Sequence, residues 1–176
     1  NNVDPSVSYD VNFFPYEPVE IYTDLTLNSN NLNIMEGVQF VVHSGATLTL
    51  ISSNLSACGS MWRGILVHRG GKVIIRNSSI KDAEYGVFAL DGSQVYVYDS
   101  QLENNVVGIE TSDNGSGGFN TTDISVTGTV FQLNGTLSNP YPAQVPFGTK
   151  PKAGIVYNSM LGTLGDDNAV ENTFSN

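Results

Sequence analysis

His43 and His68 hold the same position in two segments that align without a gap, QFVVHSGATLTLISSNL (39–55) and GILVHRGGKVIIRNSSI (64–80). If these segments are neighbouring strands, the two Cα atoms lie about 4.8 Å apart. Imidazoles at that spacing have the reach to share a divalent metal. The series continues with Leu90 and Ser112, which supply no third ligand, so two stacked surface imidazoles are the preferred reading. The stretch from Asp113 to Gly117 offers oxygen ligands for calcium but lacks the later bidentate acid of a calcium hand. Asp166-Asp167, the one pair of adjacent carboxylates, sits in the Gly-rich phrase GTLGDDN with no Gly-His-Gly or Arg-x-Lys phrase beside it. Acid–base chemistry on a polyuronate is therefore not expected there. There is no Gly-x-Ser-x-Gly elbow, and Cys58 is the only cysteine, without a partner for a disulfide or a thiolate zinc site. No catalytic residue, metal or cofactor is expected.

The remaining chemistry-bearing residues are aromatic. Ile74 and Tyr96 fall in one column of the aligned copies, and Arg76 and Tyr98 in another that begins at Ile51. By strand alternation both columns face outward and form a flat, partly aromatic strip. Such a strip suits cover by the chain's own flanking segments, contact with another chain, or stacking on sugar rings. A further outward column holds Leu66, Phe88, Glu110 and Val156.

The elements that position these residues come from a repeat. Gly64, Gly86 and Gly108 open similar phrases 22 residues apart, and Gly154 opens a fourth. Phe40, Ile65, Val87, Ile109 and Ile155 share an apolar column, and Val42, Val67, Ala89, Thr111 and Tyr157 the next but one. A Gly-containing turn follows, then the columns Leu48, Val73, Val95, Ile124 and Leu50, Ile75, Val97, Val126. Leu55, Ile80, Leu102, Phe131 and Phe174 make the last. Apolar and polar residues alternate within each short segment, the period of a strand with one buried face. A fixed period of this length is the signature of a stacked solenoid. The expected fold is all-β, a parallel β-helix of about 22 residues per coil and roughly six coils. Glycines are expected where the chain bends.

Residues 1–18 are expected to form a cap or a flanking segment, and 19–176 the β-helix, with inserted loops at 112–123 and 135–153. The second loop carries Tyr141 and Phe147 among prolines and is a candidate contact loop. The chain ends at ENTFSN, part-way round a coil, as a piece of a longer protein or one that docks on another molecule would. The net charge of −10, from 17 acidic and 7 basic residues, argues against nucleic acid, whose phosphates need clustered Lys and Arg. No apolar run is long enough for membrane insertion as a helix.

The phrase CGSMWRGILVHRGGKVIIRNSSIKDAEYGVF (58–88) resembles the right-handed parallel β-helix repeats of large secreted proteins of the Bacteroidota. Cys58, Trp62-Arg63-Gly64-Ile65, Gly70-Gly71 and Ala83-Glu84-Tyr85-Gly86-Val87 carry the likeness, which extends over roughly residues 20–110. The resemblance implies export, commonly by the type IX secretion system, to the cell surface or an extracellular fibre. It implies a right-handed coil but no single activity, because the wider class holds lyases, hydrolases, adhesins and structural shafts. The expected function is a non-catalytic structural or adhesive module of a larger extracellular protein. Its expected partners are other protein chains or cell-surface glycans. A carbohydrate-binding module is the alternative, and a polysaccharide lyase or hydrolase fragment comes third.

Overall fold

The computed structural model describes residues 15–112, 122–133, 135–138, 150–157, 160–164 and 173–175. Most of the expected cap (1–18), the interiors of both inserted loops, the aspartate pair 166–167, Asp113, Tyr141 and Phe147 lie outside the described residues.

The alternating segments form three parallel sheets of six strands each. Sheet A contains Val19–Ile21, Gln39–Val42, Trp62–Val67, Ala83–Leu90, Val107–Ser112 and Ala153–Tyr157. Sheet B contains Leu25–Asn28, Thr47–Ile51, Lys72–Arg76, Gln94–Tyr98, Thr122–Thr127 and Met160–Leu164. Sheet C contains Asn31–Ile34, Asn54–Ala57, Ser79–Lys81, Gln101–Glu103, Val130–Gln132 and Thr173–Ser175. The chain visits A, B and C in turn, and each circuit pairs only with the coils before and after it. This is a parallel β-helix.

The register follows the repeat. Ile65 pairs with Phe40 and Val87, and Val87 with Ile109, which pairs with Ile155. Leu48, Val73, Val95 and Ile124 are stacked in sheet B, and Leu55, Ile80, Leu102 and Phe131 in sheet C. These side chains are almost completely buried, except Ile155, which is half-buried. At roughly 1.5–3 kcal/mol for each large apolar side chain removed from water, the columns supply the fold's main driving force. Trp62 closes the corner between sheets C and A. Its indole N–H donates to the Lys81 carbonyl at 2.8 Å, and its ring meets Phe40 edge-on at 6.0 Å. Tyr157 keeps the register of the inward Val42 column but is 62% exposed, because it lies on the last strand of sheet A.

The bends correct one expectation. Glycine recurs from coil to coil only at the turn from A to B, where Gly45, Gly70 and Gly92 all have φ between 75° and 81°; at the other two bends it shares the work with polar residues. Their backbones form their own ladder, Gly45 N–H to Gly70 C=O and Gly70 N–H to Gly92 C=O, both 2.9 Å. From B to C the left-handed position is held by Ser29, Ser52, Asn77 and Asp99, and by glycine only at Gly128. Short polar side chains tolerate this conformation because they bond locally. The residue after each completes a buried ladder. The Ser53 N–H donates to Ser78 Oγ (3.0 Å) and the Ser78 N–H to Ser100 Oγ (3.2 Å). Each of these hydroxyls donates back to the carbonyl two residues earlier. From C to A, Gly37, Gly59, Asp82 and Asn104 are left-handed, and buried Asn105 latches the coils together. It accepts from the Ala83 N–H and donates to the Ile80 carbonyl. The phrase-opening glycines Gly86 and Gly108 do not bend the chain. They sit in sheet A, where a Cβ would lie 2.4 Å from the carbonyl oxygen of the next coil.

Candidate functional site

The strip on sheet B is built as its spacing requires. Tyr96 pairs with Ile74 and Ser125, and Tyr98 with Arg76 and Thr127. Its rings are already engaged along the solenoid axis. The Arg76 guanidinium lies 4.8 Å from the centroid of Tyr98, and Lys72 Nζ lies 5.9 Å from that of Tyr96. Both are cation–π contacts. The Tyr96 hydroxyl donates to Asp123 Oδ2 at 2.5 Å. That bond, helped by burial, pushes the phenol up to about 12, so Tyr96 stays protonated throughout the physiological range. Ile74, Tyr96 and Tyr98 are half-buried, and Arg76 is exposed.

On sheet A, His43 and His68 stack as expected, with centroids 5.2 Å apart and planes at 4°. The stack continues one coil back to Tyr22, 4.1 Å from His43, and Glu20 Oε2 contacts His43 Nε2 at 2.5 Å. This geometry does not suit a shared metal. Each imidazole nitrogen must come within about 2.1 Å of a zinc ion, with converging lone pairs. Parallel rings 5.2 Å apart point their lone pairs side by side. Among the described residues no group of three or more His, Cys, Asp and Glu is placed to hold a metal.

The neighbouring outward column runs Val41, Leu66, Phe88, Glu110 and Val156. Tyr85 leans on Phe88 (5.0 Å) and on a second apolar cluster of Met61, Val106, Val107 and Leu137. Ionisable groups meet here that lie far apart in the chain. Burial raises the carboxyl of Glu84, opposed by Arg63, and that of Glu110, opposed by Lys152. Burial, then the charges of Glu110 and Glu84, raise the Tyr85 phenol. A search for acids adjacent in sequence misses this group, because the solenoid joins residues one coil apart; Glu110, in the predicted outward column, was the available signal. At the edge of sheet C, burial also raises Asp82, and Lys81 pairs with Glu103.

The third outward feature is a groove of about 510 Å³ along the B-to-C bend, lined by Asn54, Asn77, Ser79, Asp99, Gln101 and Gly128 among others. Its signal in the sequence is the polar run that recurs at each coil, ISSN, RNSS and YDSQ.

The sequence model of a family described as "Right handed beta helix region" matches residues 19–176. The chain belongs to this right-handed β-helix family. The match starts with the first described strand of sheet A and takes in all eighteen strands found among the described residues. No curated protein and no solved structure matches the chain significantly. Membership of the right-handed β-helix family sets the architecture and leaves the activity to be argued from the surface.

Proposed function

We propose that this chain is a non-catalytic structural or adhesive module of a larger extracellular protein, acting through shape and lateral contacts. The observation that carries the reading is that its outward polar side chains are bonded to one another from coil to coil. Tyr98 with Arg76, Tyr96 with Asp123, His43 with Glu20, Lys81 with Glu103, Asn54 with Asn31 and Gln101 with Gln132 all join neighbouring coils. Ladders of this kind stiffen a rod and fasten its rungs. They leave few side chains poised for chemistry. The likeness of residues 58–88 to Bacteroidota surface proteins supports export by a type IX route and placement at the cell surface. Other protein chains or surface glycans are the partners this reading calls for.

One observation favours a second, catalytic reading: the half-buried Glu84, Tyr85 and Glu110 share one face, with both carboxyls shifted toward neutrality, as a general acid requires. Incubation with polyuronates and neutral polysaccharides, followed by measurement of new reducing ends and unsaturated products, separates the two. The first reading predicts no turnover. Turnover that is lost in Glu110→Gln overturns it. Antibodies against the chain should label intact producing cells, and labelling only after lysis would refute the extracellular assignment.

A further inference from the structure

The B-to-C bend is written in three residues per coil: Ser52-Ser53-Asn54, Asn77-Ser78-Ser79, Asp99-Ser100-Gln101 and Gly128-Thr129-Val130. The first residue of each is left-handed, the second is buried in the bend, and the third faces outward at the start of sheet C. Asn54, Ser79 and Gln101 are therefore direct neighbours in one outward column. The short serine between two longer amides leaves a notch. Gly128, lacking a side chain, extends it beyond Asp99, and the result is the groove of about 510 Å³.

The polar groups around the notch are not all engaged. The Ser79 hydroxyl is buried and has no hydrogen-bond partner. Leaving such a group unpaired is unfavourable, so a partner that reaches it is favoured. Asn54 donates through Nδ2 to Asn31 and Gln101 through Nε2 to Gln132, both at 2.8 Å. Both amides thereby keep a carbonyl oxygen to offer the groove. Asn77 and Asp99 are exposed on its wall, on consecutive coils. Their backbones are fixed by the serine ladder beneath them, so little ordering accompanies binding.

We propose that this groove is a binding site for a neutral saccharide. Its volume lies in the range of small-ligand sites, about 300–1,000 Å³, and far exceeds what one ion needs. Its exposed groups are mainly acceptors: the Asp99 carboxylate and the two amide oxygens. The Asn77 amide can add donors. Vicinal sugar hydroxyls, each both donor and acceptor, complement that set, and a hydroxyl on Asp99 makes a charge-assisted bond. An anionic sugar is disfavoured by Asp99 and by the chain's net charge of −10. Affinity is modest, with Kd on the order of 1 mM, because the site is open and has no aromatic floor. The proposal rests on the adhesive part of the function above and gives it a ligand class.

The test is a titration of the intact chain with oligosaccharides of glucose, galactose, mannose and N-acetylglucosamine, with oligogalacturonate as the anionic comparison. It is read from the side-chain amide NMR signals of Asn54, Asn77 and Gln101. At least one neutral oligosaccharide should shift these signals saturably while those near Tyr96 and Tyr98 stay in place. Ser79→Asn, which fills the notch, and Gln101→Ala, which removes one wall, should each weaken binding at least fivefold with the fold retained by circular dichroism. No saturable shift with any neutral sugar overturns the proposal. So does a response centred on Tyr96 and Tyr98, or a preference for oligogalacturonate. The turnover and cell-labelling experiments above do not depend on this groove, so its failure and the failure of the broader reading are distinguishable.

Discussion

Replacing Gly86 with alanine probes the closeness of stacked coils. The new Cβ would lie 2.4 Å from the Gly108 carbonyl oxygen, 2.9 Å from Leu102 Cδ2 and 3.3 Å from Asn105 Nδ2. The leucine methyl can swing aside. The carbonyl cannot, because it belongs to the sheet-A backbone, so the two coils must part by up to about 1 Å in a close-packed interior. Overpacking of this kind costs about 1–3 kcal/mol, and the upper half of that range applies where backbone meets backbone. Alanine's smaller unfolded-state entropy returns about 0.4–1 kcal/mol. The net loss is about 2 kcal/mol, which for a chain of this size lowers Tm by roughly 4–8 °C. Gly45→Ala is the internal comparison. Its Cβ meets nothing within 4 Å, and only its φ of +81° opposes the change. That strain is about 1–2 kcal/mol before the same entropic return, so its Tm should fall less. Thermal melts followed by far-UV circular dichroism decide the matter. A Gly86→Ala protein that melts with the wild type, or above Gly45→Ala, would refute the claim that neighbouring coils touch at this point.

Ser78→Ala removes the acceptor for the Ser53 N–H inside the bend and should cost about 1–3 kcal/mol in urea unfolding. Tyr96→Phe should remove the phenol that titrates at about 12 in an ultraviolet pH titration. Because the folded value lies above the ordinary 10.0, the wild type's advantage from this hydroxyl is complete below pH 10 and lost as pH rises through about 12. Glu110→Gln should raise Tm at neutral pH. The folded carboxyl is raised above 4.5, so ionisation opposes folding, and the benefit of the amide should disappear below pH 4.5.

The core columns were legible because one inward residue type recurs at one spacing: Ile65, Val87 and Ile109 can be stacked by eye, and the structure pairs them. The bends were only half legible. Gly45, Gly70 and Gly92 advertise a turn, whereas Ser52, Asn77 and Asp99 do the same work with three different side chains and no shared letter. Gly86 and Gly108 recur at the right spacing, but the reason is contact with the next coil, which no single coil contains. The strip at Ile74, Tyr96, Arg76 and Tyr98 was placed correctly on one face, yet its rings are turned to Lys72, Arg76 and Asp123, a matter of side-chain geometry that alternation does not specify. Glu110 was placed in an outward column, but its grouping with Glu84 and Tyr85 was not read, because it lies on the next coil, paired with Phe88, and adjacency in the chain does not show that.

The central claim is that outward side chains one coil apart stand directly over one another. With Cys58 replaced by serine, the pair Arg76→Cys and Tyr98→Cys tests it by oxidative cross-linking. Paired Cα atoms of adjacent parallel strands, about 4.8 Å apart, fall within disulfide reach. The account predicts a ready cross-link for this pair and none for Arg76→Cys with Val97→Cys, since Val97 points into the core. Equal cross-linking of both pairs, or of the second alone, would contradict it.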